Sequence, residues 1–275
     1  SPMKHQIDSA LASLLSANSG IGRSPIVSGR NRLRKVLVAN RGEIAKRFFF
    51  ALREEGISSV AVVTDPDRRQ SWYEFADEVI YVGEASAYTD IPTILAAVIL
   101  SGANAVYPGY GFLSENHRFV EAIERLRETH DREVHFMGPS ADVMRRVGHK
   151  LDARTLARTS NVPLLEGTGL IADPEQALSE AARIGYPVIV KLNAGGGGKG
   201  MAVVRSPEGL LSSCESARRI GRANYGDDSL YLERYIERPV HLEVQIFNGM
   251  AVGIRKCAVQ RNNQKIIEES GDHFL

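Results

Sequence analysis

The chain has 275 residues, 43% apolar and 24% charged, with a formal net charge of +1 at pH 7, which is typical of a globular protein with one large or two ordinary domains. The near-neutral charge argues against a nucleic-acid binder or a protein that docks on anionic membranes, so we expect neither partner. No run of about 18 apolar residues is present, and the sequence predicts no transmembrane helix.

The first 34 residues predict an extension that ends in a linker. Four apolar residues at helical spacing predict a short amphipathic helix: Ile7, Leu11, Leu14 and Leu15. Residues 16–34 are rich in Ser, Gly and Arg, which is typical of linkers. The segment lacks the apolar stretch of a secretory signal. A transit peptide is an open alternative, but a cytoplasmic protein is the preferred interpretation.

The two cysteines, Cys214 and Cys257, have no metal-ligand spacing. So few cysteines in a chain of this length indicate free thiols in a reducing compartment rather than a disulfide framework. A bridge between the two is the less favoured alternative.

Residues 35–145 alternate between short apolar runs and amphipathic stretches. The predicted strands are 35–39, 60–63, 79–82, 103–107 and 134–137. The predicted helices are 44–56, 91–100 and a third that Ser114 caps and that extends to about Glu128. Strands separated by helices predict an α/β domain with a doubly wound parallel sheet.

Residues 146–275 predict a second, α+β domain that is rich in antiparallel hairpins. Its first helix is expected over 150–159. A second begins after Asp173, an N-cap followed by Pro at N1, and ends at Gly185. The predicted strands are 187–192, 201–205, 230–235, 241–247 and 250–259, the last two joined by the hairpin signal Asn248-Gly249.

A glycine-rich segment, 194–200, joins two of these strands. Its N–H groups can approach phosphate oxygens closely because no Cβ atoms intervene, although a flexible hairpin explains the composition equally well. The segment is not a Walker A loop, since Asn193 and Gly200 stand where Gly and Ser or Thr are required. Lys191 ends the preceding strand and favours a phosphate site, the alternative being a lysine whose ammonium simply reaches solvent.

Three further groups of polar residues follow along the chain. The segment 233–236 ends a strand and could offer backbone donors and acceptors to a purine, although an ordinary edge strand is the simpler interpretation. His241 and Glu243 share a strand face and could bind a metal, but no third ligand is evident. Gln260 and Lys265, like Lys150 at a helix start, are by themselves typical of solvated positions.

The turn after the first strand partly mimics a dinucleotide-binding fold. Gly42 opens a helix and Asp65 follows a strand about 20 residues later. Only one glycine stands where that fingerprint requires three, so a nicotinamide enzyme is the weaker interpretation.

Six ordered segments resemble the biotin carboxylase family, whose members are free-standing or form the first domain of acyl-CoA and pyruvate carboxylases. They are 38–45 (VANRGEIA), 108–116 (PGYGFLSEN), 136–139 (FMGP), 185–201, 231–235 with 241–245, and 260–269. The resemblance implies an extension over 1–34, an N-terminal domain over 35–145 and a partial ATP-grasp domain over 146–275. Within the last, it implies a lid at about 170–230 and the start of a second subdomain at 231–275.

The resemblance also implies a role for individual residues in an enzyme that makes carboxybiotin from ATP, bicarbonate and biotin. ATP would be bound by Lys150, Lys191, Gly197, Gly198, Glu233, Arg234, Tyr235, Ile236, His241 and Gln260. Lys265 would hold bicarbonate. Biotin would arrive as a substrate on a separate carrier protein or domain, and a carboxyltransferase would use the product. Family members often dimerise, which leaves a homodimer open.

In the family, the Mg²⁺ ligands and the catalytic arginine lie beyond the position of Leu275. We therefore expect no complete catalytic set and no metal site in this chain, and we expect an incomplete, inactive fragment. Two alternatives are a naturally short, non-catalytic nucleotide-binding or interaction module, and another ATP-grasp ligase. Departures from the family pattern fall at Tyr107, at Asn262 and Asn263, and at 254–257.

Overall fold

The computed structural model describes residues 1–19, 33–148, 150–193 and 200–257. It divides into two compact units, Ser1–Gly148 and His149–Leu275. Among the described residues, no helix combines the length and the apolar character needed to cross a membrane.

The first unit alternates helices and strands. In chain order these are α1 (Pro2–Ala17), β1 (Lys35–Val38), α2 (Gly42–Glu54), β2 (Ser58–Thr64), β3 (Glu78–Gly83), α3 (Ile91–Ser101), β4 (Ala105–Tyr107), α4 (His117–Glu124), α5 (Leu126–His130), β5 (His135–Phe136) and α6 (Ala141–Gly148). Short 3-10 helices occur at Asp65–Arg69, Trp72–Phe75 and Ala85–Thr89.

The five strands form one parallel sheet in the order β3-β2-β1-β4-β5. All four residues of β1 are buried, because α2 covers one face of the sheet and α3 and α4 cover the other. Strands β2 and β3 are added on one side of β1, and β4 and β5 on its other side. The connections that follow β1 and β4 therefore run in opposite directions across the sheet. The predicted doubly wound α/β fold is confirmed.

The predicted N-terminal helix is confirmed as α1, which packs against α3. Ile7 and Leu14 are buried in the same core cluster as the apolar residues of α3. Asn18 follows α1 and binds the edge strand β3. Its side-chain amide accepts a hydrogen bond from the N–H of Tyr81 at 2.8 Å and donates one to the carbonyl of Tyr81 at 2.9 Å.

The prediction that Ser114 caps the helix after β4 is wrong. Residues 111–116 wind through two turns first, with Ser114 N–H bound to the Gly111 carbonyl at 3.0 Å. The side-chain oxygen of Asn116 therefore reaches the free N–H groups of Arg118 and Phe119, and α4 begins at His117. The helix is interrupted at Arg125 and continues as α5.

The second unit contains α7 (Lys150–Thr159), α8 (Pro174–Ile184), β6 (Val188–Leu192), β7 (Ala202–Val204), α9 (Leu210–Tyr225), β8 (Leu230–Arg234), β9 (His241–Phe247) and β10 (Met250–Cys257), with a 3-10 helix at Pro207–Gly209. The predicted boundaries of α8 are confirmed. The Asp173 side chain accepts from Gln176 N–H at 2.8 Å, and Gly185 follows the helix with φ of 82°.

Strands β7, β6 and β8 form an antiparallel sheet in that order. Val188, Val190 and Leu192 of β6 are buried on the face that α8 and α9 cover. The free side of β8 is lined by the segment 166–171, whose Thr168 N–H binds the Leu232 carbonyl at 2.9 Å. The thiol of Cys214 lies free and buried within α9.

Strands β9 and β10 form a separate two-stranded antiparallel ribbon. Asn248 and Gly249 both have positive φ, 48° and 75°, so the predicted two-residue hairpin is confirmed. Both faces of the ribbon carry exposed apolar side chains: Leu242, Val244, Ile246, Phe247, Met250, Val252 and Ile254. The second unit is thus α+β, as predicted.

Candidate functional site

Two of the residues singled out in the sequence, Lys191 and Glu233, lie on neighbouring strands of the second unit. Lys191 is paired with Tyr231 in the ladder between β6 and β8, so Glu233 is its diagonal neighbour two residues further on. Side chains alternate along a strand, and both point away from the face that α8 and α9 cover. The pattern of apolar residues in β6 therefore places this lysine and this glutamate on the same face, opposite the two helices.

The carboxylate of Glu233 is held between two cations. Its Oε2 lies 2.5 Å from Nζ of Lys191, and its Oε1 lies 2.6 Å from Nη1 of Arg154. The Glu233 side chain is 10% exposed and that of Arg154 13%, whereas the Lys191 side chain is 27% exposed. The cluster carries a net positive charge, and Lys191 is the cation with access to solvent. It can offer an ammonium group to an anion.

Arg154 was missed by sequence reasoning. It projects from α7, and its second guanidinium nitrogen, Nη2, donates to the carbonyl of Leu165 at 2.7 Å. An arginine on a helix is usually solvated, and its partner Glu233 lies 79 residues away in sequence. No local pattern signals such a contact.

Tyr231 lies next to this cluster on β8. Burial raises the pKa of its phenol to about 12, with the negative charge of Glu233 acting in the same direction and Arg154 opposing it. The phenol therefore remains neutral at physiological pH. The charge of the cluster is set by Lys191, Arg154 and Glu233.

The other predicted residues at the end of β8 are arranged differently. Arg234 points away from the cluster, where its guanidinium lies 2.5 Å from the carboxylate of Glu166 and also binds the Ile184 carbonyl. Hydrogen bonding to Arg234 lowers the pKa of Glu166. The N–H of Tyr235 donates to the Pro187 carbonyl at 3.0 Å, and Ile236 is 43% exposed. The structure thus brings Lys191 and Glu233 together but not Arg234.

The remaining predicted residues are placed only in part. Lys150 begins α7 and His241 begins β9, but their side chains lie outside the described part of the structure. Gly197, Gly198, Gln260 and Lys265 lie outside the described residues altogether.

The metal site considered for His241 and Glu243 gains no support from the placement of Glu243. Its carboxylate pairs with Arg255 on the neighbouring strand, 2.5 Å from Nη2. Within the ranges that the structure describes, no three or more His, Cys, Asp or Glu residues are close enough together to hold a metal ion.

A second polar constellation, also missed from sequence, lies at the carboxyl ends of the strands in the first unit. Asp67, almost fully buried, accepts hydrogen bonds from Arg41 at 3.0 Å, Thr64 at 3.0 Å and Tyr88 at 2.8 Å. Burial by itself raises the pKa of this carboxyl, but the bonds from Arg41, Tyr88 and Thr64 outweigh it and hold the pKa below its usual value. The charge of Asp67 is thus matched by that of Arg41.

A shallow cavity of about 370 Å³ lies where β1 and β4 end, lined among others by Asn40, Glu43 and Tyr110. The Asn40 amide donates to the carbonyls of Pro108 and Tyr110, both at 2.8 Å, and the Tyr110 hydroxyl donates to Glu43 at 2.7 Å. Gly109 is required here, because its φ is +60° and a Cβ would lie 2.6 Å from Cγ2 of Ile44 and 2.9 Å from the Asn40 amide nitrogen. The segments 38–45 and 108–116 therefore serve to frame one crevice.

Two family models match consecutive parts of the chain. The model described as "Biotin carboxylase, N-terminal domain" matches residues 32–144, and the one described as "Carbamoyl-phosphate synthase L chain, ATP binding domain" matches residues 149–275. Together they leave out α1.

Curated relatives agree with these matches. The chain is 43% identical over 248 residues to a biotin carboxylase of Pseudomonas aeruginosa, covering 86% of this chain and 54% of that protein. It is 38% identical over 250 residues to the propionyl-CoA carboxylase alpha chain of Ruegeria pomeroyi, covering 88% of this chain and 36% of that protein. The chain spans about half the length, or less, of such relatives.

Solved structures show the same likeness. The biotin carboxylase–β-γ-ATP complex from Campylobacter jejuni has a TM-score of 0.79 at 38% identity, over 88% of this chain and 55% of that chain. The biotin carboxylase domain dimer of the Hydrogenobacter thermophilus 2-oxoglutarate carboxylase, in complex with MgADP, ADP and bicarbonate, has a TM-score of 0.74 at 36% identity, over 86% of this chain and 52% of that chain.

Proposed function

Because the chain belongs to the biotin carboxylase family, of which it carries the N-terminal portion, we propose that it forms part of an enzyme that carboxylates biotin with ATP and bicarbonate. The observation that carries the proposal is the charged cluster on the face of β6 and β8 opposite α8 and α9. There Lys191, a partly exposed cation, is separated from the glycine-rich segment by only two residues.

The cluster supports a phosphate-binding role on electrostatic grounds. Two cations share one carboxylate, so an approaching anion meets a net positive charge at Lys191. Phosphoryl transfer is catalysed mainly by positioning and by neutralising charge on the phosphate oxygens, which an ammonium group at this place provides. In this proposal Lys191 donates to phosphate, and the Glu233 carboxylate holds the Lys191 ammonium in place before the phosphate binds.

The other assignments follow the family pattern and complete the proposed site. Lys150, Gly197 and Gly198 bind the phosphates with Lys191. The backbone of 233–236 and the side chain of Ile236 frame the adenine, His241 and Gln260 lie beside the nucleotide, and Lys265 holds bicarbonate.

Mg²⁺ accompanies ATP in such chemistry, where it neutralises phosphate charge. The described residues of this chain do not by themselves offer a group of three or more metal-ligating side chains. No step of the reaction is assigned to this ion.

The proposal extends to partners. Biotin would be presented by a separate carrier protein or domain, and a carboxyltransferase would pass the carboxyl group to an acceptor. Two of the similar proteins, the Ruegeria pomeroyi propionyl-CoA carboxylase alpha chain and the Rhizobium etli pyruvate carboxylase, are named for different acceptors. The acceptor is therefore left open in the proposal. We also propose that the protein forms a homodimer and is located in the cytoplasm.

The direct test is Lys191→Ala in the full-length protein. Loss of a charge-assisted contact to phosphate should weaken ATP binding roughly ten- to a hundredfold, as measured by titration calorimetry. Lys4→Ala, which removes an exposed lysine of α1, is the matched control and should leave ATP affinity unchanged. Unchanged ATP affinity in Lys191→Ala would show that the assigned role is wrong.

We further propose that residues 1–275 alone do not complete the reaction, because the chain covers only 54% of the relatives named biotin carboxylase. Bicarbonate-dependent phosphate release with free biotin should be absent from this polypeptide and present in the full-length protein. Turnover by the purified 275-residue chain, abolished by Lys191→Ala to exclude a contaminant, would contradict this.

A further inference from the structure

Arg154 holds three separate parts of the second unit together. It projects from α7, binds the Glu233 carboxylate on β8 through Nη1, and binds the Leu165 carbonyl through Nη2, at 2.6 and 2.7 Å. Its side chain is only 13% exposed. An arginine with this little access to water and two fixed acceptors has a single defined geometry, which suits it to orienting a neighbouring group.

Glu233 needs a partner whenever Lys191 leaves it. A buried carboxylate that loses its only counter-ion is strongly destabilised, so a lysine that is its sole partner would be trapped on it. Arg154 binds the other oxygen of the same carboxylate and continues to neutralise it. The ammonium of Lys191, the more exposed of the two cations, can then turn to an incoming anion without leaving Glu233 unpaired.

We propose that Arg154 is a positioning residue for nucleotide binding: it retains the Glu233 carboxylate so that Lys191 is released to the phosphate. This inference rests on the proposed ATP site and adds to it a residue that acts through Glu233. Arg154 does not itself touch the nucleotide. Its effect is confined to the phosphate-binding step.

Gly167, which has no side chain, leaves room for the guanidinium of Arg154. A Cβ at Gly167 would lie 2.7 Å from Nη2 of Arg154 and 3.1 Å from the Leu232 carbonyl. The closer atom is a terminal nitrogen of the guanidinium, so Gly167→Ala should displace Arg154. The Gly167 backbone is itself paired with Glu233, so hydrogen exchange at 230–234 is the control for the sheet. The glycine therefore offers a second way to remove the contact, with the arginine still present.

The experiment compares ATP with adenosine, which lacks the phosphates, by titration calorimetry on the full-length protein. Arg154→Met should lower ATP affinity about tenfold, the effect of losing one charge-assisted contact, and leave adenosine affinity unchanged. Arg154→Lys keeps the charge and should retain most of the affinity for ATP. In a Glu233→Gln background, Arg154→Met should have no further effect on ATP, because a neutral amide does not trap Lys191.

Two results would overturn the inference: ATP affinity unchanged in Arg154→Met, or ATP and adenosine affinities lowered equally, as a merely structural role predicts. If Arg154→Met fails to fold, Gly167→Ala supplies the same contrast between ATP and adenosine. Absence of ATP binding by the unaltered full-length protein would instead remove the proposed ATP site itself, and this inference with it.

Discussion

The two units neutralise their buried carboxylates in different ways. In the first unit, Glu78 and Asp67 are each matched to one cation, Lys35 at 2.9 Å and Arg41 at 3.0 Å, and both carboxylate side chains are almost fully buried. In the second, Glu233 is shared by two cations. The difference lies in this sharing and not in the exposure of the cation, since Arg41 is 41% exposed and Lys191 27%. Matched pairs fix the strand ends of a sheet in place, whereas a shared carboxylate leaves one cation available to a ligand.

The largest loss of stability is expected from Lys35→Met. Glu78 would then lose the ammonium at 2.9 Å in a site closed to water, which should lower the free energy of unfolding by ~3–5 kcal/mol. Urea denaturation followed by the fluorescence of Trp72, the single tryptophan of the chain, reports on this unit. The double variant Lys35→Met/Glu78→Met, an apolar pair, should recover most of the loss.

A smaller loss is expected from Asp67→Asn, about 1.5–3 kcal/mol at pH 7, since Arg41 loses a charged acceptor. The folded-state pKa of Asp67 is depressed below the unfolded value of about 3.9, so its contribution is present above that pH and disappears as the pH falls through the folded value. The difference between the two proteins should therefore shrink in urea titrations below pH ~4. A constant difference down to pH 2 would contradict the assignment.

The shared carboxylate should matter less for stability. In Glu233→Gln, Lys191 can turn toward water, but the largely buried Arg154 keeps only a neutral acceptor. We expect local opening of β8 to become easier by about 1.5 kcal/mol, since the amide oxygen can still accept from Arg154. Hydrogen exchange at the amides of 230–234 measures this. A loss as large as that of Lys35→Met would mean that the second cluster is as firmly locked as the first.

The smallest effect is expected from Glu166→Gln. Its pair with Arg234 joins two side chains that are both about half exposed, and such surface pairs contribute little because water and salt screen them. The urea midpoint should not change measurably. A clear destabilisation that vanishes at high salt would place Arg234 among the residues that secure the strand end.

The sequence predicts features that depend on near neighbours. The caps of α8 and the turn at Asn248-Gly249 are set by residues within a few positions of one another, and the structure confirms them. Lys191 could be singled out because it follows the apolar residues 188–190, and Glu233 because it lies near the end of the predicted strand 230–235. Their mutual contact also required the pairing of β6 with β8, which brings together residues 42 positions apart.

Features that depend on distant parts of the chain were missed. Arg154 and Arg41 look like solvated arginines until their carboxylate partners are brought to them by the sheets. Ser114 and Asn116 are both good N-caps by residue type, and the choice between them was made by the turns of residues 111–116. Tertiary placement, rather than residue preference, decided each of these outcomes.

The amide of Asn18 has a consequence for how copies of this protein behave beside one another. β3 is an outer strand of the parallel sheet, and such a strand presents free N–H and C=O groups on which another chain can grow. Asn18 occupies one donor and one acceptor of Tyr81 at once, at 2.8 and 2.9 Å, as a neighbouring strand would. We therefore expect α1 and Asn18, which lie outside the matched family regions, to protect this edge of the sheet from pairing with another chain.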